Sequence, residues 1–274
     1  MKVKFDGKWT VPGNSPTNYM AECGLIINDE TKFSTFKTNK NAPYTFIVGM
    51  STDGTQGKDF LQFVRDNDPD ILNHINDIKR NDILGGPVLQ KHNEVGLISG
   101  NTLQYMMSST YIRRHFSKQD LGEIVEIGGG YGGLCTVLTS VSPYQSYTIL
   151  DLPTPSLLQQ LYLSKLDIKS TACIDTNNIP LGIEYDLCIS EYCISEFDEV
   201  GIDFYINSVI KYCKGSYFLL NFNASNKLDN FIKKLETLYN DVELCQYPMT
   251  PELNGCRNGK YLICKDNKFL KSNE

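Results

Sequence analysis

Beyond position 120, apolar residues fall in short unbroken runs, separated by longer stretches in which they recur every three to four places. Unbroken runs suit strands covered on both faces, and the recurring pattern suits helices laid against them. The runs at 123–127, 146–150, 171–174, 185–190 and 216–222 are therefore predicted strands, and 134–141, 156–166, 200–211 and 226–239 predicted helices. In the last of these helices Phe231, Leu235 and Leu238 share one face. Two further strands, 242–246 and 260–265, follow with no helix between them; the connecting loop holds Pro248, Pro251 and Gly255. Strands joined without a crossover pair antiparallel, so the pattern predicts an α/β chain whose sheet is mostly parallel, with the last strand antiparallel.

The first hundred residues are less regular. Segments 59–64 and 70–78 carry helical spacing, 44–50 reads as a strand, and the stretch before it, with Pro12, Gly13 and Pro16, reads as loop. A helix is expected over 102–116, turning Leu103, Met106, Met107, Tyr111 and Phe116 toward the fold. These readings divide the chain into an α-rich N-terminal extension, residues 1–100, and a main domain, residues 101–274.

Between the first predicted strand of the main domain and its helix lies Gly128-Gly-Gly-Tyr-Gly-Gly133, in which Gly128, Gly130 and Gly133 satisfy G-x-G-x-x-G. Such a loop turns tightly, brings bare backbone against a ligand and starts a helix pressed on the sheet. Many nucleotide sites and purely structural turns share that spacing. Glu126 narrows it, because a carboxylate at the strand tip repels a pyrophosphate but holds an ammonium, which points to S-adenosyl-L-methionine (SAM) rather than NAD. Asp151 ends the second strand about 20 residues beyond the glycines, where an acid takes ribose hydroxyls; Asp-Leu-Pro at 151–153 would also serve as a plain strand stop. Asp175, after the third strand, is placed either to approach the adenine amine or to act as a loop carboxylate within Asp-Thr-Asn-Asn. Gly128, Gly130, Tyr131, Leu152 and Ser190 complete the expected cofactor contacts.

Four blocks carry a wider resemblance: Asn81-Asp-Ile-Leu-Gly-Gly-Pro87 with Ser99-Gly-Asn-Thr-Leu-Gln-Tyr105, Val125-Glu-Ile-Gly-Gly-Gly-Tyr-Gly-Gly-Leu134, Tyr147-Thr-Ile-Leu-Asp-Leu-Pro153, and Asp186-Leu-Cys-Ile-Ser-Glu-Tyr-Cys-Ile-Ser-Glu196. Together they resemble the sugar O-methyltransferase family of bacterial and some viral glycan gene sets. The resemblance implies a Rossmann-like class I methyltransferase sheet, SAM as methyl donor, and a sugar hydroxyl as acceptor on a nucleotide-activated or glycan-bound deoxysugar. It also implies that the N-terminal extension caps the acceptor site, and that an acid stands at Glu196. The chain departs from the family pattern at Glu191, where Asn is expected, and around Ser99, where a proline and an arginine are missing.

Composition limits the alternatives. The chain has 274 residues, 41% of them hydrophobic, and a formal net charge of −6, which disfavours nucleic acid and anionic membrane as partners. Arg113-Arg114 is a lone basic pair, expected on a solvated helix face. Apolar stretches fall short of the roughly 18 residues of a membrane span, and Met1-Lys-Val-Lys-Phe-Asp-Gly lacks a signal-peptide core, so a cytoplasmic protein is expected. Nine cysteines without Cys-x-x-Cys spacing read as buried thiols of a reducing compartment, with Cys173, Cys188, Cys213 and Cys264 in or beside apolar segments. His74, His92 and His115 do not pair at ligand spacing, and no metal site is expected. Association with further copies of the chain stays open.

Methyl transfer to a hydroxyl needs in-line alignment and a group to take the hydroxyl proton. In this fold the tip of the fourth strand faces the methyl group, here Ser190-Glu191-Tyr192 followed by Ser195-Glu196. Glu196 is the first candidate base, since the resemblance places an acid there, though a helix N-terminal carboxylate explains it equally. Glu191, directly after the strand, is the rival, and Tyr192 a candidate sugar contact or packing residue. His115 is a further candidate base, or a partly exposed residue at a helix end. An NAD(P)-dependent sugar-modifying enzyme would share the glycine turn but should carry a Tyr-x-x-x-Lys pair, which the sequence does not show. A non-catalytic SAM-fold partner subunit would keep Glu126 and Asp151 and lose the acceptor chemistry.

Overall fold

The computed structural model describes residues 2–4, 8, 16–38, 47–48, 57–221, 225–246 and 260–271. A two-residue strand β1 (Lys2–Val3) precedes helices α1 (Pro16–Asn28), α2 (Glu30–Thr35) and α3 (Gly57–Asn67). Short 3-10 and α turns then run from Pro69 to Asp82, and a hairpin of β2 (Leu89–His92) and β3 (Gly96–Ser99) leads into α4 (Gly100–His115). The main domain continues as β4 (Glu123–Ile127), α5 (Gly133–Val141), β5 (Ser146–Asp151), α6 (Pro153–Lys165), β6 (Thr171–Asp175), β7 (Ile179–Pro180) and β8 (Tyr185–Glu191). It continues with α7 (Glu199–Ser208), β9 (Cys213–Leu220), α8 (Ser225–Leu238), β10 (Tyr239–Gln246) and β11 (Lys260–Asn267), and a single helical turn, Lys268–Lys271, follows.

The seven-stranded sheet has the order β10-β11-β9-β8-β4-β5-β6. Strands β4, β5, β6, β8 and β9 are parallel, while β11 lies antiparallel to both β9 and β10. This is the Rossmann-like methyltransferase arrangement expected from the sequence, with the last strand inserted antiparallel. From β4 the chain winds one way through β5 and β6, then returns to place β8 on the other side of β4. The strand tips of β4 and β8 thus flank the topological switch point, where open α/β sheets take their ligands.

The extension shares the core of the sheet. Tyr19, Phe36, Phe60 and Ile78 pack in one continuous apolar cluster with Met106, Tyr147 and Ile189. The expected loop before residue 44 is partly helix: Pro16 opens α1, and Tyr19, Cys23 and Ile26 form its buried stripe. The expected strand at 44–50 is not present where it can be examined, because Ile47 and Val48 are helical; residues 44–46 and 49–50 lie outside the described residues. Arg113 also departs from expectation. Instead of facing solvent, it is buried and its Nε meets the fully buried Asp68 carboxylate at 2.7 Å, while Arg114 is exposed. Of the four cysteines singled out, Cys188, Cys213 and Cys264 are buried and Cys173 is half-buried; all are free thiols.

The block at 81–87 and the start of α4 form a clasp between extension and sheet. Asp82 accepts hydrogen bonds from the Ser99 backbone N–H at 2.8 Å, the Ser99 hydroxyl at 2.6 Å and the Thr102 hydroxyl at 2.7 Å. Asn81 Nδ2 donates to Thr102 Oγ1 at 2.9 Å and to Tyr131 Oη at 3.1 Å. Lys37, buried beside them, donates to Tyr162 Oη at 2.8 Å and to the Asn81 carbonyl. Its ammonium lies 4.4 Å from the Tyr131 ring centroid and 4.6 Å from that of Tyr162. Gly85 takes a left-handed φ of 82° because its carbonyl must receive the Lys37 N–H while its Cα lies against the Phe36 ring.

Candidate active site

Strand β4 delivers the chain into the switch point, and the turn that follows is possible only for glycine. Gly128, Gly130 and Gly132 have φ of 77°, 57° and 92°. A Cβ on Gly128 would collide with the Cys193 side chain, and one on Gly130 would sit 2.8 Å from the Ile47 carbonyl oxygen. Segments from the extension and from beyond β8 therefore close over the turn. Helix α5 starts at Gly133 with its N–H groups directed at the same region.

Glu126 lies at the end of β4 beneath this turn, 2% exposed, accepting a hydrogen bond from Tyr147 Oη at 2.9 Å. Burial pushes its carboxyl up to about 8, and the nearby Glu191 and Asp151 add to the rise. Asp151 ends β5 next door. Its Oδ1 accepts from the Leu152 N–H and its Oδ2 from Gln159 Nε2, each at 2.8 Å. Burial raises it to about 7 against the pull of these donors. Leu152 is thus a backbone donor to Asp151 and the residue that caps α6. Gln159 Nε2 also donates to the Gly130 carbonyl at 3.1 Å, which fixes the amide orientation and leaves buried Gln159 Oε1 with no partner.

At the tip of β8, Ser190 is buried and donates to the Ile127 carbonyl at 2.9 Å, tying β8 to β4. Glu191 accepts from Tyr217 Oη at 3.2 Å; burial raises its carboxyl to about 7, and Ser108 and Tyr217 offset part of the rise. Tyr192 adopts a left-handed φ of 63°, held by its N–H to the Leu219 carbonyl at 2.6 Å. A non-glycine residue in that conformation is a local strain that surrounding contacts must hold. Glu196 sits half-buried in the 3-10 turn Ile194–Glu196, one step farther on. It shares the electrostatic surroundings of Tyr19 and Cys193 with Asp151.

No protein-family model and no curated protein sequence matches the chain. Among solved structures it is similar to the methyltransferase domain of bacterial CtHen1, with 12% identity and a TM-score of 0.46 over 59% of this chain and 97% of that one. It is also similar to precorrin-6y C5,15-methyltransferase from Geobacter metallireducens, at 15% identity and a TM-score of 0.39, covering 58% and 84% of the two chains. A SAM-dependent methyltransferase assignment from Methanococcus maripaludis gives 13% identity and a TM-score of 0.44 over 58% and 83%.

The structure brings Glu126, Gly128, Gly130, Asp151, Leu152, Ser190, Glu191 and Tyr192 to one end of three adjacent strands. Two expected site residues face elsewhere. Tyr131 is fully buried among Phe36, Tyr105 and Tyr162, with Asn81 on its hydroxyl. Asp175 lies opposite Asp151 in register, but its carboxylate accepts from its own turn, the Asn177 N–H at 2.8 Å and Asn178 Nδ2 at 3.1 Å. His115, stacked on Tyr111 at the end of α4, packs beside Glu243 and Lys265. Among the described residues no cluster could hold a metal ion, and no helix is long and apolar enough to cross a membrane.

Other residues at the site were not singled out from the sequence. Tyr19 of α1 is buried where it feels the charges of both Asp151 and Glu196, since α1 packs on α6. The i, i+4, i+7 spacing of Tyr19, Cys23 and Ile26 was the available signal. Gln104 and Ser108 of α4 reach the β8 tip at Tyr192 and Glu191, and Asn101 lies on the same helix face beside Val48; their polarity within a run rich in Leu, Tyr and Met was the corresponding clue.

Proposed function

We propose that the chain transfers a methyl group from SAM to a hydroxyl of a sugar, nucleotide-activated or glycan-bound. One observation carries the donor half: at the switch point a left-handed glycine turn meets two acids on neighbouring strand tips, Glu126 and Asp151. Asp151 and the unpartnered Gln159 Oε1 offer acceptor oxygens suited to ribose hydroxyls. Glu126 suits the ammonium of the amino-acid end, and the glycine turn suits close approach of the chain linking them. SAM supplies a sulfonium-bound methyl group whose departure leaves a neutral thioether, so the protein has to align the acceptor and remove its proton.

Glu191 fits the base. It stands at the β8 tip, and a carboxyl near 7 combines an available ionised fraction with useful basicity. With SAM and acceptor bound, Glu191 would take the proton of the hydroxyl whose oxygen receives the methyl group. Glu196 groups with Asp151 and Tyr19, on the donor side. The sugar half rests on the four sequence blocks, and the packing of α1 of the extension on α6, with Tyr19 beside Asp151 and Glu196, supports an extension that caps the acceptor.

Calorimetric titration with S-adenosylhomocysteine, with NADH as control, tests the donor half. Selective micromolar binding is expected, weakened at least tenfold in Asp151→Ala. Binding of NADH in its place, or an unchanged affinity in Asp151→Ala, would remove the assignment.

A further inference from the structure

Helix α4 is buried on every side over its first fourteen residues, Gly100 to Arg113, yet Asn101, Thr102, Gln104, Ser108 and Ser109 are polar. Thr102 belongs to the clasp with Asp82. Asn101, Gln104 and Ser108, at i, i+3 and i+7, share one face of the helix, and none is more than 3% exposed. Asn101 Oδ1, Gln104 Oε1 and Ser108 Oγ have no hydrogen-bond partner.

The free atoms are well defined. Asn101 Nδ2 donates to the Val48 carbonyl and Gln104 Nε2 to Tyr192 Oη at 3.4 Å, so in both amides the oxygen is the unpaired end. Ser108 Oγ lies between Glu191 and Tyr217, near enough to lower the affinity of both for a proton but outside close hydrogen-bond geometry with either. Buried polar atoms without partners are rare and destabilising. Three on one helix face, two of them beside the strand tip that carries Glu191 and Tyr192, imply a molecule that completes them.

Their chemistry selects that molecule. Two amide oxygens and a carboxylate accept hydrogen bonds, and a serine hydroxyl accepts or donates. Such a wall attracts O–H donors and disfavours phosphate or carboxylate groups.

We propose that Asn101, Gln104 and Ser108 form the acceptor subsite, binding adjacent hydroxyls of a polyol ring so that one of them lies against Glu191. The inference rests on the methyl-transfer reading above and extends it to the substrate. A ring lacking those hydroxyls would leave the buried oxygens unpaired and be rejected.

Saturation-transfer NMR on the full chain with S-adenosylhomocysteine provides the test, using methyl α-L-rhamnopyranoside and methyl α-L-fucopyranoside as probes and their dideoxy analogues as controls. The diol-bearing rings should receive saturation and the controls none. The double variant Gln104→Leu/Ser108→Ala should bind the probes at least tenfold more weakly, with S-adenosylhomocysteine affinity unchanged and Tm equal or higher. Equal signals from the controls, no signal from either probe, or unaltered probe binding in the variant would overturn the subsite. A lower Tm in the variant would show the side chains to be structural and overturn it as well. Failure of the wild type to bind S-adenosylhomocysteine would instead remove the methyl-transfer reading, and the subsite with it.

Discussion

On one side of the glycine turn, Asn81, Asp82, Ser99, Thr102 and Tyr162 exchange hydrogen bonds among themselves. On the other, Asn101, Gln104, Ser108 and Gln159 each keep an oxygen with no partner. Both clusters are buried apart from the half-buried Asp82, and the two meet on the same helix, where Thr102 is satisfied and its neighbour Asn101 is not. A closed network rigidifies the fold around it, whereas unmet acceptors mark surface kept ready for a ligand. On the proposed reading, satisfaction, more than residue type, separates the clasp from the acceptor subsite.

The largest effect that would sharpen this contrast lies at the β8 tip. Glu191→Gln should lower turnover about 10²–10⁴-fold, the range of a lost general base, with S-adenosylhomocysteine affinity within a factor of about two in the same titration. Glu196→Gln should cost less than about tenfold, because that glutamate groups with the donor-side residues. The reverse order of the two variants in a labelled-methyl assay would move the base to Glu196 and break the proposed division of the site.

On the satisfied side the effect should be on stability. Asp82→Ala strips acceptors from Ser99 and Thr102 and should cost about 2–4 kcal/mol in urea unfolding, as one partner of a closed network is removed. Gln104→Leu, at a more deeply buried position, should leave the midpoint unchanged or raise it. Similar losses in both would mean that the unpartnered oxygens contribute to the fold after all.

The same contrast explains what was legible in the sequence. The sheet was readable because its strands are buried on both faces, and Val125, Ile127, Leu187 and Ile189 announce that as unbroken runs. The glycine turn, Glu126 and Asp151 were readable because their spacing reflects a local chain geometry. The extension was not, since α1 buries only a narrow stripe and its fold depends on distant partners. Arg113 shows the limit most clearly: nothing nearby in sequence indicates that Asp68, 45 positions earlier, pairs with it. Tyr131 follows the same rule. It sits inside the cofactor motif, yet its ring is drawn away by Phe36, Tyr105 and Tyr162.

Lys37 tests whether the satisfied cluster is also electrostatically comfortable. Its ammonium has aromatic faces and two oxygen acceptors, and burial still lowers it to about 7 from the usual 10.5, with Asp82 resisting. The unfolded chain keeps that proton up to about pH 10.5, so between about 7 and 10.5 the unfolded state binds more protons and stability from this group rises with pH. Below pH 7 the charged, desolvated form carries its full cost. Lys37→Met should therefore be more stable than the parent at pH 6, by about 1–4 kcal/mol, and lose that advantage by pH 10. A constant difference across the range in urea titrations would show that the lysine is not desolvated in solution.

The smallest effect is a proton count, and it probes the unsatisfied side directly. With no ligand beside it, Glu126 holds its proton up to about pH 8, so near pH 7 it is mostly neutral. A ligand ammonium brought against it favours the carboxylate and expels that proton. Titration of S-adenosylhomocysteine at pH 7 in buffers of different ionisation enthalpy should report release of about one proton. Asp151, raised only to about 7, contributes more at lower pH, so the two acids separate in a pH series. Glu126→Gln should abolish most of the release at pH 7.5, where Asp151 is already mostly ionised, and leave at pH 6 the share that comes from Asp151. Binding enthalpies that do not depend on the buffer would mean that no buried acid changes its protonation when the ligand arrives, and that Glu126 braces the turn from below without touching the ammonium.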